Sequence, residues 1–265
     1  MASKHGWKIE LIPWDYSNPE HVQRLYDQRV ACGWRADEVP SWVDAAKKGG
    51  RMFYWALFSD ALPDREKLIK QHIEAYPKES IPLRDTAAEI RLVPRQPTMA
   101  EFIPIGHVAV DVHTPEDDMK LGLPPTGTVW VHGLYISRAL HGGGFGAGTM
   151  SKIETLVTES PMNAKIVALD TISKDLQTEP GKRDLLYYDG GIPVPRVASE
   201  DWYTSLGYEL FKREENVFVS MAKGGVEMPS KYLHLKILYV LLCFHTLDLY
   251  YHPSFVLTES HRLAD

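Results

Sequence analysis

The feature that most constrains this sequence is a run of glycines between an apolar segment and a helical one. Residues 142–148 read GGGFGAG, which places five glycines in seven positions. The apolar segment before it predicts a strand over Thr128–Ser137, and apolar spacing after it predicts a helix over Phe145–Glu159. Glycines let the backbone approach a ligand closely, and a helix start offers unpaired N–H groups and a positive dipole end. The run therefore predicts a phosphate-binding loop rather than only a flexible turn.

Composition fits a soluble globular protein. The chain has 265 residues, of which 44% are hydrophobic and 24% charged, with a formal net charge of -6. Those values exclude a disordered, collagen-like or coiled-coil chain, and the mild acidity argues against nucleic-acid binding. Two cysteines, Cys32 and Cys243, cannot form a disulfide framework, so we expect a cytoplasmic or nuclear location.

Hydrophobic patterning predicts an α/β protein with a mixed order of strands and helices. Pro77–Pro104 and Lys174–Ala198 read as irregular connections. The further predicted strands are Trp7–Trp14, Arg51–Phe58, Ile105–His113, Lys165–Ile172, Tyr208–Lys212 and Val217–Ala222. The further predicted helices are Pro19–Cys32, which Gly33 ends, Asp37–Lys48, Asp64–Ala75 and Glu200–Leu206, for which Ser199 is the expected N-cap.

The apolar stretch 232–251 near the end of the sequence predicts a helix that is buried or covered by a partner. Its length would span a bilayer, but Lys236 and Asp248 would each cost roughly 2.5–3.5 kcal/mol at the centre of a membrane helix. A membrane span is therefore the less favoured interpretation.

Two phosphate-binding folds compete for the glycine loop. A dinucleotide-binding fold needs GxGxxG close behind its strand and an acidic residue about 20 residues further on. Gly142, Gly144 and Ala147 fit that pattern roughly, with Asp170 as the acid, but five residues separate the strand from the first glycine. An NAD(P)-dependent oxidoreductase therefore stays open as an alternative.

The segment LYISRALHGGGFG, residues 134–146, resembles the acetyl-CoA-binding motif of the GNAT superfamily of N-acetyltransferases. Gly144 and Gly146 take the two glycine positions, whereas His141 stands where the family usually has Gln or Arg. The segment DWYTSLGY, residues 201–208, is similar to the family's later Tyr-x-x-Leu-Gly-Phe/Tyr segment, and Ile105–Val108 to its strand start. The resemblance covers about residues 9–223.

The resemblance implies a central mixed sheet with splayed parallel strands, flanked by helices, and acetyl transfer from acetyl-CoA to a primary amine by direct attack in a ternary complex. A non-catalytic acyl-CoA-binding module is a further alternative. Acetyl-CoA would lie between the two splayed strands, 129–136 and 166–172. The implied cofactor-binding residues are Leu134, Tyr135, Ile136, His141, Gly142, Gly143, Gly144, Phe145, Gly146 and Ala147.

The resemblance also implies catalytic roles. Tyr203 aligns with the tyrosine that protonates the departing thiolate, unless it is only a core residue. His132 lies where many members place a carboxylate base, and imidazole can accept a proton near neutral pH, unless this histidine only packs beside Trp130.

Five further residues are candidates for substrate binding. His107, Asp111 and His113 share one face of a strand, so they line an acceptor pocket or form a solvated edge. Asp170 and Ser173 end the second splayed strand. Two-residue steps on one strand and the lack of a partner cysteine do not favour a metal site, so we predict no metal.

A minimal domain of the family that this sequence resembles is shorter than the chain, and three segments of the chain have no counterpart in it. We assign residues 1–223 to one catalytic domain with insertions at 61–100 and 174–198, and residues 224–265 to a C-terminal extension. The insertions are candidates for substrate selection. We expect a small-molecule amine rather than a protein as substrate, no nucleic acid or membrane partner, and a homodimer, if one forms, through the extension. The sequence does not identify the acceptor.

Overall fold

The computed structural model describes residues 5–184, 187, 193–214, 221–222, 226–227 and 236–242. The strands are β1 Ile9–Pro13, β2 Arg51–Phe58, β3 Leu83–Arg84, β4 Glu89–Ile90, β5 Val93–Pro94, β6 Glu101–Phe102, β7 Gly106–Asp111, β8 Thr128–Ile136, β9 Ile166–Ile172, β10 Glu209–Glu214, β11 Met221–Ala222, β12 Val226–Glu227 and β13 Lys236–Leu242. The helices are α1 Pro19–Cys32, α2 Val39–Lys47, α3 Arg65–Ala75, α4 Pro115–Lys120, α5 Phe145–Val157, α6 Lys174–Thr178, α7 Pro180–Arg183 and α8 Ser199–Ser205.

Local signals explain where the first long helix begins and ends. Asn18 caps α1 by accepting a hydrogen bond from the Glu20 amide, and Pro19 occupies the first helical position, where its missing N–H costs nothing. Gly33 ends the helix with φ +86°, a left-handed conformation that glycine adopts without steric cost. The predicted bounds of α1 and β2 are confirmed.

The central sheet has seven strands in the order β1-β2-β7-β8-β9-β13-β10. Its described strand pairs are antiparallel except β8 and β9, which run parallel. The predicted mixed α/β architecture is therefore confirmed. A doubly wound dinucleotide-binding sheet is mostly parallel, and the described strands do not form one.

Helices cover both faces of this sheet. One face packs under α1 and α2, where Leu25 and Trp42 meet Phe53 and Trp55 of β2. The other face packs under α5, where Met150 and Ile153 join a cluster with valines of β7, β8 and β9. Alternation along β2 and β7 sends successive side chains to opposite faces. The predicted faces of β7 are confirmed, because Val108 and Val110 lie in the α5 cluster.

The helix predicted over 232–251 is wrong at residues 236–242, which form strand β13 between β9 and β10. The periodicity of a continuous apolar run does not distinguish a buried strand from a buried helix. Pairing with two distant strands decides the matter, and it places 236–242 in the sheet rather than in an extension past residue 223. The rest of the predicted helix lies outside the described residues. None of the described helices is long and apolar enough to cross a membrane.

The two predicted insertions lie in different places. Segment 61–100 contributes α3 and then wraps α1, where Thr86 binds Asn18 and the Arg84 carbonyl binds His21. Segment 174–198 was predicted to be irregular, but it contains α6, which follows the extended residue Ser173, and the single turn α7, which starts with a proline at its first position. Two residues of this segment, Leu176 and Tyr187, form a buried cluster against Trp34 and Ile172. It therefore covers the end of β9.

Candidate active site

The parallel strands β8 and β9 pair at one end and separate at the other. Their register joins Thr128–Val131 to Ile166–Leu169 and continues no further. On its other side β8 carries a β-bulge, since Tyr135 lies opposite His107 whereas His132 lies opposite Ala109. The extra residue falls beside Gly133, whose φ of +57° is a left-handed conformation that glycine tolerates. The bulge turns β8 away from β9, so a gap opens after Val131.

The glycine loop lies past the open end of β8 and leads into α5. Gly144 is the N-cap residue of α5, with φ +79°, and no side chain caps this helix end. The N–H groups of the first turn, including those of Phe145 and Gly146, have no partner within the helix. His141 turns back toward β8, with its Nε2 3.0 Å from the Ile136 carbonyl oxygen. The predicted loop and helix start are therefore confirmed as structure.

Four charged or ionisable side chains form a row across neighbouring strands on the α1/α2 face of the sheet. Arg51 of β2 binds both carboxylate oxygens of Asp111 on β7, with Nε 2.7 Å from Oδ1. His132 of β8 comes next, with Nε2 3.6 Å from Asp111 Oδ2. Its Nδ1 lies 3.0 Å from Oδ1 of Asp170 on β9. His132 is thus held between two carboxylates at the start of the gap.

Tyr203 lies on α8, which packs close to β9 and to the start of α5. The neighbouring Trp202 ring lies 3.3 Å from where a side chain on Gly146 would begin. Tyr203 itself is half-buried. Burial and then the nearby charge of Asp170 raise the pKa of the Tyr203 phenol, because both disfavour the phenolate. The phenol is therefore protonated at neutral pH.

The remaining candidates have different surroundings. His107 is fully buried, and its Nδ1 lies 2.8 Å from Gln28 Oε1. The expectation that it lines an acceptor pocket is therefore wrong, because α1 covers this end of β7. His113 stacks on Trp130, with ring centroids 4.6 Å apart. Ser173 is buried just past β9.

Three basic residues at the site carry no motif and were not predicted from the sequence. Arg51 orients Asp111, as described above. Arg29 of α1 is buried, and its Nη1 donates to the Gly133 carbonyl at 3.4 Å. Lys8 donates from Nζ to the Gly143 carbonyl at 2.9 Å and thereby brings a positive charge to the glycine loop. Each pair joins distant parts of the chain, so only the folded register reveals it.

No protein-family model matches the sequence, and no curated protein matches it either. Solved structures do match, at low identity. Arabidopsis thaliana NAA60 in complex with acetyl-CoA is 11% identical over 88% of this chain and 98% of that chain, with a TM-score of 0.48.

Two further structures show similar values. A Desulfovibrio desulfuricans protein described as an acetyltransferase of the GNAT family is 11% identical over 88% of this chain and 98% of that chain, with a TM-score of 0.47. An aminoglycoside 6'-N-acetyltransferase complexed with coenzyme A is 12% identical over 88% of this chain and 96% of that chain, with a TM-score of 0.44. This chain is similar to all three, and the GNAT family is the one that its motifs resemble.

Proposed function

We propose that the protein is an acetyl-CoA-dependent N-acetyltransferase that joins an acetyl group directly to a primary amine. The observation that carries the proposal is the gap between β8 and β9, which opens beside His132 and leads toward the uncapped start of α5. A gap between parallel strands exposes backbone groups that a sheet would otherwise pair. An extended ligand with a phosphate end fits such a path.

The chain's own groups suit acetyl-CoA at both ends of this path. Backbone groups of Leu134, Tyr135 and Ile136 on the β9 side of β8 would hold the pantetheine arm. Amides from Gly142 to Ala147 would bind the pyrophosphate, with the helix dipole and Lys8 adding positive potential. Bound there, acetyl-CoA supplies an acetyl group activated as a thioester. The His141 amide donates to the Arg138 carbonyl at 3.3 Å and its ring binds the Ile136 carbonyl, so His141 would shape the start of the loop.

His132 is the residue that we assign to remove the proton from the attacking amine. Asp170 Oδ1 lies 3.0 Å from Nδ1, and we assign the imidazole proton to Nδ1 beside this carboxylate, which leaves the lone pair on Nε2. The 3.6 Å between Nε2 and Asp111 Oδ2 is too long for a direct hydrogen bond. Nε2 therefore accepts the amine proton as the C–N bond forms, and the two carboxylates stabilise the resulting imidazolium.

Tyr203 is the residue that we assign to protonate the departing sulfur. Its raised pKa keeps the phenol protonated, so the O–H can donate as the C–S bond breaks. Solvent then returns the proton to the phenol. The acid lies on α8 and the base lies on β8, so each proton transfer has its own group.

The acceptor is proposed to be a small amine that enters from the α1/α2 face. Asp111 and Asp170 give this side of the gap negative potential, which attracts an ammonium group. Segment 174–198 packs on Trp34 beside it and is the candidate for selecting the rest of the substrate.

Cofactor binding is the first test. Acetyl-CoA, but not NAD(P), should raise the melting temperature, and the reverse result would support an oxidoreductase. Gly144→Asp should weaken acetyl-CoA binding about 100-fold, because a carboxylate about 5 Å from a phosphate costs on the order of 3 kcal/mol per charge. Gly127→Asp is the control for backbone strain, since Gly127 has a similar φ of +82° at the other end of β8; a Cβ at Gly144 would also meet the His5 ring at 3.0 Å, so circular dichroism must show that both variants are folded. Equal losses in the two variants would refute the phosphate-binding loop.

Catalysis is the second test. A panel of amines, with detection of the released thiol, identifies an acceptor. With that acceptor, Tyr203→Phe should lower kcat roughly 100-fold at unchanged acetyl-CoA affinity, as expected for the loss of a general acid. Tyr26→Phe, at an exposed tyrosine, is the control. An unchanged kcat for Tyr203→Phe would remove Tyr203 from the mechanism, and the absence of transfer to any amine would favour a binding module.

A further inference from the structure

Among the described residues, one cluster brings two imidazoles and a carboxylate together on the α1/α2 face of the sheet. Asp111, His113 and His132 each offer one ligand atom, and these atoms lie within 4.8 Å of one another. Asp111 and His113 come from the end of β7, whereas His132 comes from β8. The sequence did not favour a metal site because it did not show that His132 faces Asp111.

We propose that this cluster is an inhibitory zinc site, bound through a carboxylate oxygen of Asp111, an imidazole nitrogen of His113 and Nε2 of His132. Two histidines and one carboxylate are a common zinc donor set, with water in the fourth position. Ligand atoms on a tetrahedral zinc lie about 3.3 Å apart. The pair His132 Nε2 and Asp111 Oδ2 is already near that spacing at 3.6 Å. The three ligand atoms lie within 4.8 Å of one another, so His113, the most exposed of the three, would have to move by up to about 1.5 Å.

A charged group lies beside each proposed ligand, in a position from which it could help to orient that ligand. Arg51 fixes the Asp111 carboxylate through both oxygens. Asp170 lies 3.0 Å from Nδ1 of His132 and so directs Nε2 toward the centre of the cluster. Asp118, which also accepts a hydrogen bond from Trp130, lies 3.7 Å from Nδ1 of His113.

Charge and access also favour a divalent cation. Three carboxylates, those of Asp111, Asp118 and Asp170, surround the two histidines; Arg51 binds Asp111 directly, and the charge of Arg35 also acts on Asp111 and Asp170. The side chains of His113 and His132 are 28% and 16% exposed, so an ion can reach them from solvent. A buried core site would not allow such exchange.

Zinc at this site would occupy the lone pair of His132 Nε2. The same lone pair takes the amine proton in the proposed reaction, so metal binding and acetyl transfer exclude one another. This inhibitory consequence rests on the proposed function, whereas metal binding itself does not. Acetyl-CoA binding at the far end of the gap is not expected to change.

The binding test uses the full chain after dialysis against a chelator, titrated with Co²⁺ as a spectroscopic substitute for Zn²⁺. We expect one equivalent to bind with the intense visible absorption of a four-coordinate site, and Zn²⁺ to displace it. A weak spectrum like that of aqueous Co²⁺ would overturn the proposal. So would a thiolate charge-transfer band, because it would place the metal on Cys32 or Cys243.

Three variants locate the metal. His113→Gln should weaken Co²⁺ binding at least tenfold, and Asp118→Asn should weaken it by about 10-fold to 100-fold as a supporting group. Glu116→Gln, at an exposed acid on the same helix as Asp118, should leave it unchanged. Circular dichroism confirms that each variant is folded. Equal Co²⁺ affinity in His113→Gln and the parent would refute the site, as would equal losses in all three variants.

The activity test uses an amine found to be an acceptor. Zn²⁺ should inhibit transfer competitively with the amine and not with acetyl-CoA, and His113→Gln should need at least tenfold more Zn²⁺ for the same inhibition. Bound zinc without inhibition would overturn the inhibitory role and the assignment of His132 as base, while the binding data would still support the metal site. If no amine is acetylated, the proposed function fails, and the Co²⁺ titration still decides whether the site binds metal.

Discussion

Glu154 on α5 provides a prediction that depends on the fold and not on the proposed reaction. Its Oε1 accepts a hydrogen bond from the Tyr208 hydroxyl at 2.9 Å. Burial raises the pKa of the Glu154 carboxyl from 4.5 to about 7, although the hydrogen bond from Tyr208 opposes the shift. The folded protein therefore binds this proton more tightly than the unfolded chain does.

Because the folded pKa is raised, the stability that this group contributes is complete below about pH 4.5 and is lost as pH rises through about 7. A shift from 4.5 to about 7 corresponds to about 3 kcal/mol of unfolding free energy above pH 7. Glu154→Gln removes the charge and keeps an acceptor for Tyr208. The variant should be more stable than the parent by about 3 kcal/mol at pH 8 and by less than about 1 kcal/mol at pH 5.

Urea unfolding at pH 5 and pH 8 measures this difference directly. By thermal unfolding, the gap at pH 8 corresponds to about 5–10 °C in Tm for a domain of this size. Glu159→Gln is the control, since Glu159 is exposed just beyond the end of the same helix. A gap that is the same at both pH values, or a variant less stable than the parent at pH 8, would refute the reasoning.

Two further predictions test the sheet and the site. Gly106→Ala should destabilise the protein by about 1–3 kcal/mol in urea unfolding, because its Cβ would lie 2.1 Å from a carbonyl oxygen of β8; an unchanged midpoint would contradict this close approach. Asp170→Asn should lower kcat for amine acetylation about 10-fold or more at unchanged acetyl-CoA affinity, because it removes the charge that orients His132 and stabilises its protonated form. Equal kcat values would show that Asp170 does not position the base.

Most of the elements that were predicted correctly were predicted from local sequence patterns. The strand Arg51–Phe58 was predicted with its observed bounds, because Gly50 precedes it and an aromatic-rich run fills it. The start of α5 was predicted at Phe145, because glycines end the preceding structure there. Alternation predicted which side chains of β7 share a face. These features depend on neighbours in the chain, which is why a single sequence reveals them.

Features that depend on distant pairing were missed or misassigned. Residues 236–242 have a pattern that suits a helix or a strand, and the contacts with β9 and β10 make them a strand. His107 alternates with Val108 as predicted, but α1 lies over it and buries it. The short helix α4 was missed for a different reason: its signal is local, since Thr114 caps it and a proline and acidic residues fill its first turn, but the signal was not used. The row of charged or ionisable side chains across β2, β7, β8 and β9 also depends on how these four strands pair. The sequence alone therefore shows no partner for Arg51.

The bulge at Gly133 links the gap to the chemistry beside it. In a regular strand, His132 and Tyr135 would point to opposite faces because side chains alternate. Here both lie on the α1/α2 face, with His132 near Asp111 and the Tyr135 ring 5.5 Å from that of His107, while Leu134 packs in the α5 cluster. The extra residue that produces this arrangement also turns β8 away from β9. One local distortion therefore opens the path for the thioester at the same position where it places the imidazole that would accept the amine proton or bind zinc.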